Sequence, residues 1–306
     1  MSQYWSLQLL GCDGSTWDIQ GPDEGAQGVF LLPKPVQFYH SPAITYWIKS
    51  GGAGEKYQGF SYKRRDPLFG LYTESDDPDD WRALWSDLTL AFGTPDDTFR
   101  LKSTTTDGER YLKMRLLQHL DSFQALEGLA GKDPHLFGCG AVMVNAACEQ
   151  PHWYGDALTG SWSLPSGTSG STTTFPHPGN PGSVPVWPKW TLTAPATWTT
   201  IPDRSYGQEA DFGRFDEDDS LNTWSCTPLI AGEDLLVDAN PDEEAMVTIG
   251  GGLGPLMRQG GDLLVYPVAE RTVPHDVTVA VSGATAGATA TIEIVPLYDT
   301  PFGRGL

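Results

Sequence analysis

Basic residues are scarce in this chain. Its 306 residues carry 19 Lys and Arg against 39 Asp and Glu, for a formal charge of −20. A surface of that sign repels phosphate backbones and anionic lipid, which argues against nucleic-acid binding and against a headgroup-binding patch. Long apolar runs are also missing: none approaches the ~20 residues that a membrane-spanning helix needs. The opening MSQYWSLQLLGCDG has no basic stretch, long apolar core or small-residue cleavage site, so no secretion signal is expected. Cysteine is sparse. Cys12, Cys139, Cys148 and Cys226 fall at irregular spacing without a CxxC pair, which excludes the usual zinc patterns and points to reduced, mostly buried thiols.

Signatures of chemistry are equally thin. Six histidines (His40, His119, His135, His152, His177 and His275) are dispersed, and no HExxH places two of them on one helix face. Ser183 and Ser220 lack the GxSxG context of a nucleophile elbow. The stretch from Asp211 to Asp219 is rich in carboxylates, but Arg214 intrudes and the ligand order of a calcium loop is absent. Paired carboxylates of a glycosidase cannot be read from spacing alone, and acidic loops account for the same residues. No catalytic, cofactor-binding or metal-ligating residue is assigned. The expectation is a non-enzymatic protein without a cofactor, inactive on peptidoglycan, arabinogalactan fragments and peptides.

What the chain does have is 35 glycines, 24 prolines and 11 tryptophans, the mix of a loop-rich, mainly β protein long enough for two cores. Leu9-Leu10, a turn at Cys12-Asp13-Gly14, and then Trp17 and Ile19 read as a hairpin with two inward anchors. Alternation predicts strands over residues 4–9, 43–48, 57–63 and 69–73, with the glycine-rich loop 49–55 between the second and third. One helix is legible. Ser75 to Asp80 supplies caps and negative charge at its start, Trp81, Leu84, Trp85, Leu88 and Phe92 form one stripe, and Gly93 and Pro95 stop it. The stripe is expected to bury Trp81, Trp85 and Leu88 against a sheet. Strands are then expected over 98–103 and 110–118, with Leu112, Met114 and Leu116 on one face, and over 136–148; residues 120–129 fit a helix or a loop.

Small residues, Pro151 and two aromatics follow one another over Ala146–Tyr154. Beyond them lie a Gly/Ser-rich stretch over 160–170 and a proline-interrupted strand over 184–193, which Pro185 and Pro188 assign to a sheet edge. Short strands follow over 235–237, 245–249, 263–266, 275–281 and 288–295, with turn signals between them as in a β-sandwich. Trp187, Trp190, Trp198 and Trp224 are either core residues of that sandwich or a stacking platform for sugars.

Four stretches carry a resemblance. The run GCDGSTWDIQGPDEGAQGV over 11–29, Pro42–Trp47, the Ala146–Tyr154 junction and the Asn180–Thr193 turn and strand are similar to minor tail proteins of the distal-tail (Dit) type from long-tailed phages of actinobacteria. The resemblance implies a tail-tube-like β-sandwich or barrel with one packed helix in 1–148, followed by a galectin-like β-sandwich in 149–306. It implies a structural virion protein at the tail tip, assembled in the bacterial host cytoplasm: a homo-hexameric ring joining the tail tube protein to tail-tip proteins, with DNA passing unbound through the lumen and no membrane contact. On this reading Lys63, Arg64 and Arg65 point into subunit or ring contacts, the hairpin around 51–54 meets a neighbour, and residues 1–150 alone form rings. The competing reading is a receptor-contacting, carbohydrate-binding tail protein, which requires Trp187, Trp190 and Trp224 to be exposed.

Overall fold

The computed structural model describes residues 4–49, 51–120, 133–203 and 221–303. The chain divides into two compact units, residues 1–155 together with 298–306, and residues 156–297. The division at 148/149 read from the sequence therefore differs from this one at the junction, and it leaves out the return of the chain to the first unit after residue 297.

In the first unit β1 (Ser6–Leu10) and β2 (Thr16–Gln20) form the expected hairpin, turned at Gly14 with φ of 87°. The carboxylate of Asp13 accepts from the Ser15 N–H at 2.9 Å and fixes that turn. Next come β3 (Val29–Leu31), the hairpin β4 (Ala43–Lys49) and β5 (Glu55–Tyr62), β6 (Leu68–Glu74), helix α1 (Pro78–Phe92), β7 (Phe99–Thr105) and β8 (Gly108–Leu116). The one-turn helix α2 (Pro134–Phe137), β9 (Cys139–Ala147) and β10 (Trp153–Tyr154) complete this part of the chain. The main sheet runs β2-β1-β7-β8-β9-β6-β3. The β8–β9 step is short, with Arg115–Ala147 and Leu116–Ala146 as its paired positions.

Burial follows the alternation of the strands. Leu7 and Leu9, Trp17 and Ile19, Leu112 with Met114 and Leu116, and Phe69 with Leu71 all enter one core. Helix α1 adds Leu88, Ala91 and Phe92 to it. Asp77 caps the helix by accepting from the Asp79 N–H at 2.7 Å, and Gly93 ends it. Trp81 is fully buried, with its indole N–H donating to Thr73 Oγ1 at 3.1 Å. Trp85 departs from expectation: it is half-buried, stacked on Trp81 with ring centroids 6.2 Å apart. Residues 121–129, ambiguous in sequence, lie outside the described residues.

The second unit is a sandwich of two antiparallel sheets around a core drawn from both. One sheet runs β11-β19-β13-β16-β17, formed by β11 (Leu158–Ser163), β13 (Lys189–Leu192), β16 (Leu235–Asp238), β17 (Met246–Thr248) and β19 (Thr289–Ile294). The other runs β12-β18-β14-β15, formed by β12 (Ser171–His177), β14 (Thr197–Pro202), β15 (Thr223–Trp224) and β18 (His275–Ser282). Three sequence expectations need correction. The Gly/Ser-rich stretch, to which the sequence assigns no strand, is entered by β11 and followed directly by β12. β13 sits between β19 and β16 rather than at an edge, because Pro185 and Pro188 precede it and cost its ladder no N–H. Residues 263–266 form no strand, since the Asp203 carboxylate takes the N–H groups of Val265 and Tyr266 at 3.2 and 3.0 Å. The Asn180-Pro181-Gly182 turn is a buried anchor: Asn180 Nδ2 donates to the carbonyls of Val184 and Ala269 at 3.0 and 3.1 Å.

Candidate assembly surface

The β4–β5 hairpin forms a two-stranded sheet of its own and pairs with no strand of the main sheet. Its composition is strand-forming, AITYWIK against EKYQGFSY, and its register is regular except for a bulge between Tyr46 and Trp47 that leaves Gln58 extra. Gly59, with φ of 133°, lies beside the bulge, where a side chain is disfavoured. Directly paired residues share a face. One face therefore carries Trp47 opposite Tyr57, Thr45 opposite Phe60, and Ala43 opposite Tyr62. Edge-to-face ring contacts run along it, Trp47 to Tyr57 and Phe60 to Tyr62, each with centroids 5.3 Å apart. The other face carries Ile44, Tyr46 and Ile48, with Tyr46 Oη and Ser61 Oγ 2.8 Å apart.

Every β4 residue is exposed, including Trp47 at 55% and Ile48 at 55%, and in β5 so is Phe60 at 53%. Single exposed apolar residues are ordinary. A hairpin with apolar residues exposed on both faces is not, because a two-stranded ribbon is at best marginally stable in water without something packed on it.

The hairpin root is polar and buried. Lys63 N–H donates to the Pro42 carbonyl at 2.8 Å and closes it. Arg65 is 0% exposed, and its backbone pairs with Cys148. Its guanidinium donates to Ser41 Oγ at 2.7 Å, to the Asp299 carbonyl at 3.1 Å and to the Phe38 carbonyl at 3.5 Å, while Nε finds no acceptor. Burial, partly offset by Cys148 and Asp299, brings its pKa down to about 10, still charged at neutral pH. This corrects the sequence expectation for Lys63, Arg64 and Arg65: Arg65 is an internal core residue, not a ring contact. Arg64 is exposed and paired with Asp66 at 2.7 Å.

His152 lies against the Tyr62 ring at 4.3 Å, with Nδ1 2.9 Å from Ser41 Oγ. Burial and the charge of Arg65 push its pKa down to about 4. Asp299 accepts from the Ser41 N–H at 2.7 Å and lies 2.9 Å from His40 Nδ1. Burial raises its pKa, but the hydrogen bonds outweigh that and hold it below the usual carboxylate range.

The tryptophans of the second unit do not make a platform. Trp190, Trp198 and Trp224 are buried in the sandwich core, and Trp187 is half-buried against it. The indoles of Trp198 and Trp224 donate inward, to the carbonyls of Thr193 at 3.1 Å and Asp262 at 2.9 Å. His177 stacks on His275 across β12 and β18, with ring centroids 4.9 Å apart. Among the described residues no group of three His, Cys, Asp or Glu is placed to hold a metal. Residues 211–219, considered for calcium, and Ser220 lie outside the described residues. The four cysteines are free. Burial pushes the Cys148 and Cys226 thiols up to about 12, with Arg65 and Arg258 acting in the opposite direction. Among the described residues no helix is long and apolar enough to cross a membrane.

No protein-family model matches the chain, and no curated protein matches it. Solved structures do. The SPP1 Dit (gp 19.1) protein, described as a paradigm of the hub adsorption apparatus in phages infecting Gram-positive bacteria, is similar with a TM-score of 0.54 at 14% identity. The match covers 96% of this chain and 98% of that one. The chain shares the Dit fold. The phage P2 baseplate in its activated conformation with Ca is similar at 11% identity over 100% of both chains, with a TM-score of 0.47. The same baseplate with Sr gives 12% identity and 0.44. The mainly β architecture with one substantial helix is the fold class expected from the sequence.

Proposed function

We propose that this chain is a structural hub protein of a phage tail, and that its first unit builds a closed ring of six copies between the tail tube and the tail-tip proteins. The supporting observation is the β4–β5 hairpin, whose two apolar faces are left uncovered in a single copy. A closed ring has a heterologous interface: the hairpin of each copy lies on a different surface of the next, so both of its faces can be covered at once. The shared fold with SPP1 Dit supports the same reading. The second unit, read as galectin-like, serves as a scaffold. DNA passes through the ring opening, and the net charge of −20 keeps it from sticking. The role is structural, without turnover, in the virion.

Sedimentation and negative-stain imaging of the purified full chain test this. Six-fold rings are expected, with monomers from the double variant Trp47→Glu/Phe60→Glu. A wild-type chain that stays monomeric, or a charged double variant that still closes rings, would overturn the proposal.

A further inference from the structure

Residues 298–303 belong to the first unit although the whole second unit separates them from it in sequence. Their contacts are those of a strap. The Thr300 carbonyl accepts from Arg110 Nη1 at 2.8 Å, and the Gly303 carbonyl accepts from Arg110 Nη2. The Arg110 guanidinium lies over the Tyr298 ring, 3.8 Å from its centroid. The Pro301 carbonyl accepts from Ser103 Oγ at 2.7 Å, and Ser103 Oγ in turn accepts from the Trp5 indole at 2.9 Å. Phe302 packs edge-on against Trp5 and Tyr39, with centroids 5.3 and 6.0 Å away. Asp299 supplies its carbonyl to Arg65 and its carboxylate to Ser41, both at the hairpin root. Arg65, Ser103 and Arg110 are all buried, and the strap provides acceptors to each.

We propose that residues 298–303 are a completion strap: the first unit reaches its ordered, hairpin-presenting form only after the chain has been made past the second unit. Without the strap, two buried guanidiniums and a buried hydroxyl lose acceptors, and a buried charge left unpaired is strongly destabilising. The hairpin root loosens first, because Arg65 and Ser41 both bind Asp299 there. A growing chain that has displayed β4 and β5 but not the strap then lacks a fixed hairpin, and incomplete chains do not enter assemblies. The assembly clause rests on the proposed ring; the strap's effect on the first unit does not. It also replaces the sequence expectation that residues 1–150 alone form rings.

Hydrogen exchange on the full-length chain tests the strap, comparing wild type with Asp299→Ala and with Asp299→Ala/Phe302→Ala. Amides over 38–65 and 101–112 are expected to exchange about tenfold faster or more in the variants, the factor set by losing a hydrogen bond to a charged group. Amides over 221–297 should be unchanged, which shows that the chain is still folded. Adding excess synthetic peptide of residues 298–303 to the double variant should restore protection. Unchanged exchange over 38–65, or acceleration spread equally over the second unit, would overturn the strap. Sedimentation of the same samples separates the two proposals: a wild type without rings that still shows the exchange contrast refutes the ring and leaves the strap standing.

Discussion

At the scale of single residues the hairpin root shows how position overrides residue type. In sequence Lys63-Arg64-Arg65 reads as a basic run directed into subunit or ring contacts. Pairing of the Arg65 backbone with Cys148 sends that one side chain inward, and nothing in the local sequence marks it, because its acceptors come from residues 38, 41 and 299. His152 was equally silent, since a lone histidine beside Pro151 carries no signal of burial. Its depressed pKa has a definite consequence. The folded state holds the imidazole neutral down to about pH 4, whereas an unfolded chain protonates it near 6.5. Between those values the unfolded state binds more protons, so stability is fully present above pH 6.5 and is lost progressively as pH falls toward 4. The shift corresponds to up to roughly 3 kcal/mol. Thermal unfolding of the first unit from pH 8 to 4 should show this slope, and His152→Asn should flatten it above pH 4. Asp299, held below its usual range, adds a loss in the same direction at lower pH.

At the scale of elements the legible parts were those with a clean period. The α1 stripe, the β1–β2 hairpin and the alternation of β8 all follow from sequence, and the structure places their apolar faces in one core. Trp85 shows the limit of the stripe: at the margin of a helix face it reaches Trp81 and is only half-covered. Leu88→Ala should therefore cost about 2–5 kcal/mol, as for other buried leucines. Trp85→Ala should cost about half of the 3–5 kcal/mol typical of a fully buried tryptophan. Equilibrium urea unfolding of the two variants measures the order, and equal losses would mean that Trp85 is more deeply covered than the structure shows. β11 and β12 carry no legible period, because LTGSWS and STTTFPH have too few apolar residues to display one. Their partners β19 and β18 carry the apolar side of the pairing. The β4–β5 hairpin was legible as strands but not as an uncovered ribbon. Periodicity reports which residues are apolar, not whether the rest of the same chain packs on them.

At the scale of the whole molecule, charge and apolar surface oppose each other. The first 150 residues hold 13 Lys and Arg against 20 Asp and Glu, and the remainder 6 against 19. In the proposed ring, copies brought together by their hairpins must therefore overcome mutual repulsion. Raising ionic strength from about 0.01 M to 0.15 M shortens the screening length from about 30 to 8 Å. Ring formation should strengthen over that range, the opposite of an interface held by surface ion pairs. Sedimentation across a salt series decides it. Over the same series the chain should show no retention on immobilised DNA, even at the lowest salt, where a basic protein would bind most tightly.

The state of the thiols bears on how long the folded chain lasts. Cys148 and Cys226 sit in the cores of the two units with thiols pushed up to about 12, so almost no thiolate exists at neutral pH. Cys12, at the surface, is also shifted upward, by partial desolvation and by the carboxylates of Asp97 and Asp13. Oxidation and disulfide exchange begin with the thiolate. These three sulfurs are therefore held in the form least open to peroxide, and the fold carries no redox clock there.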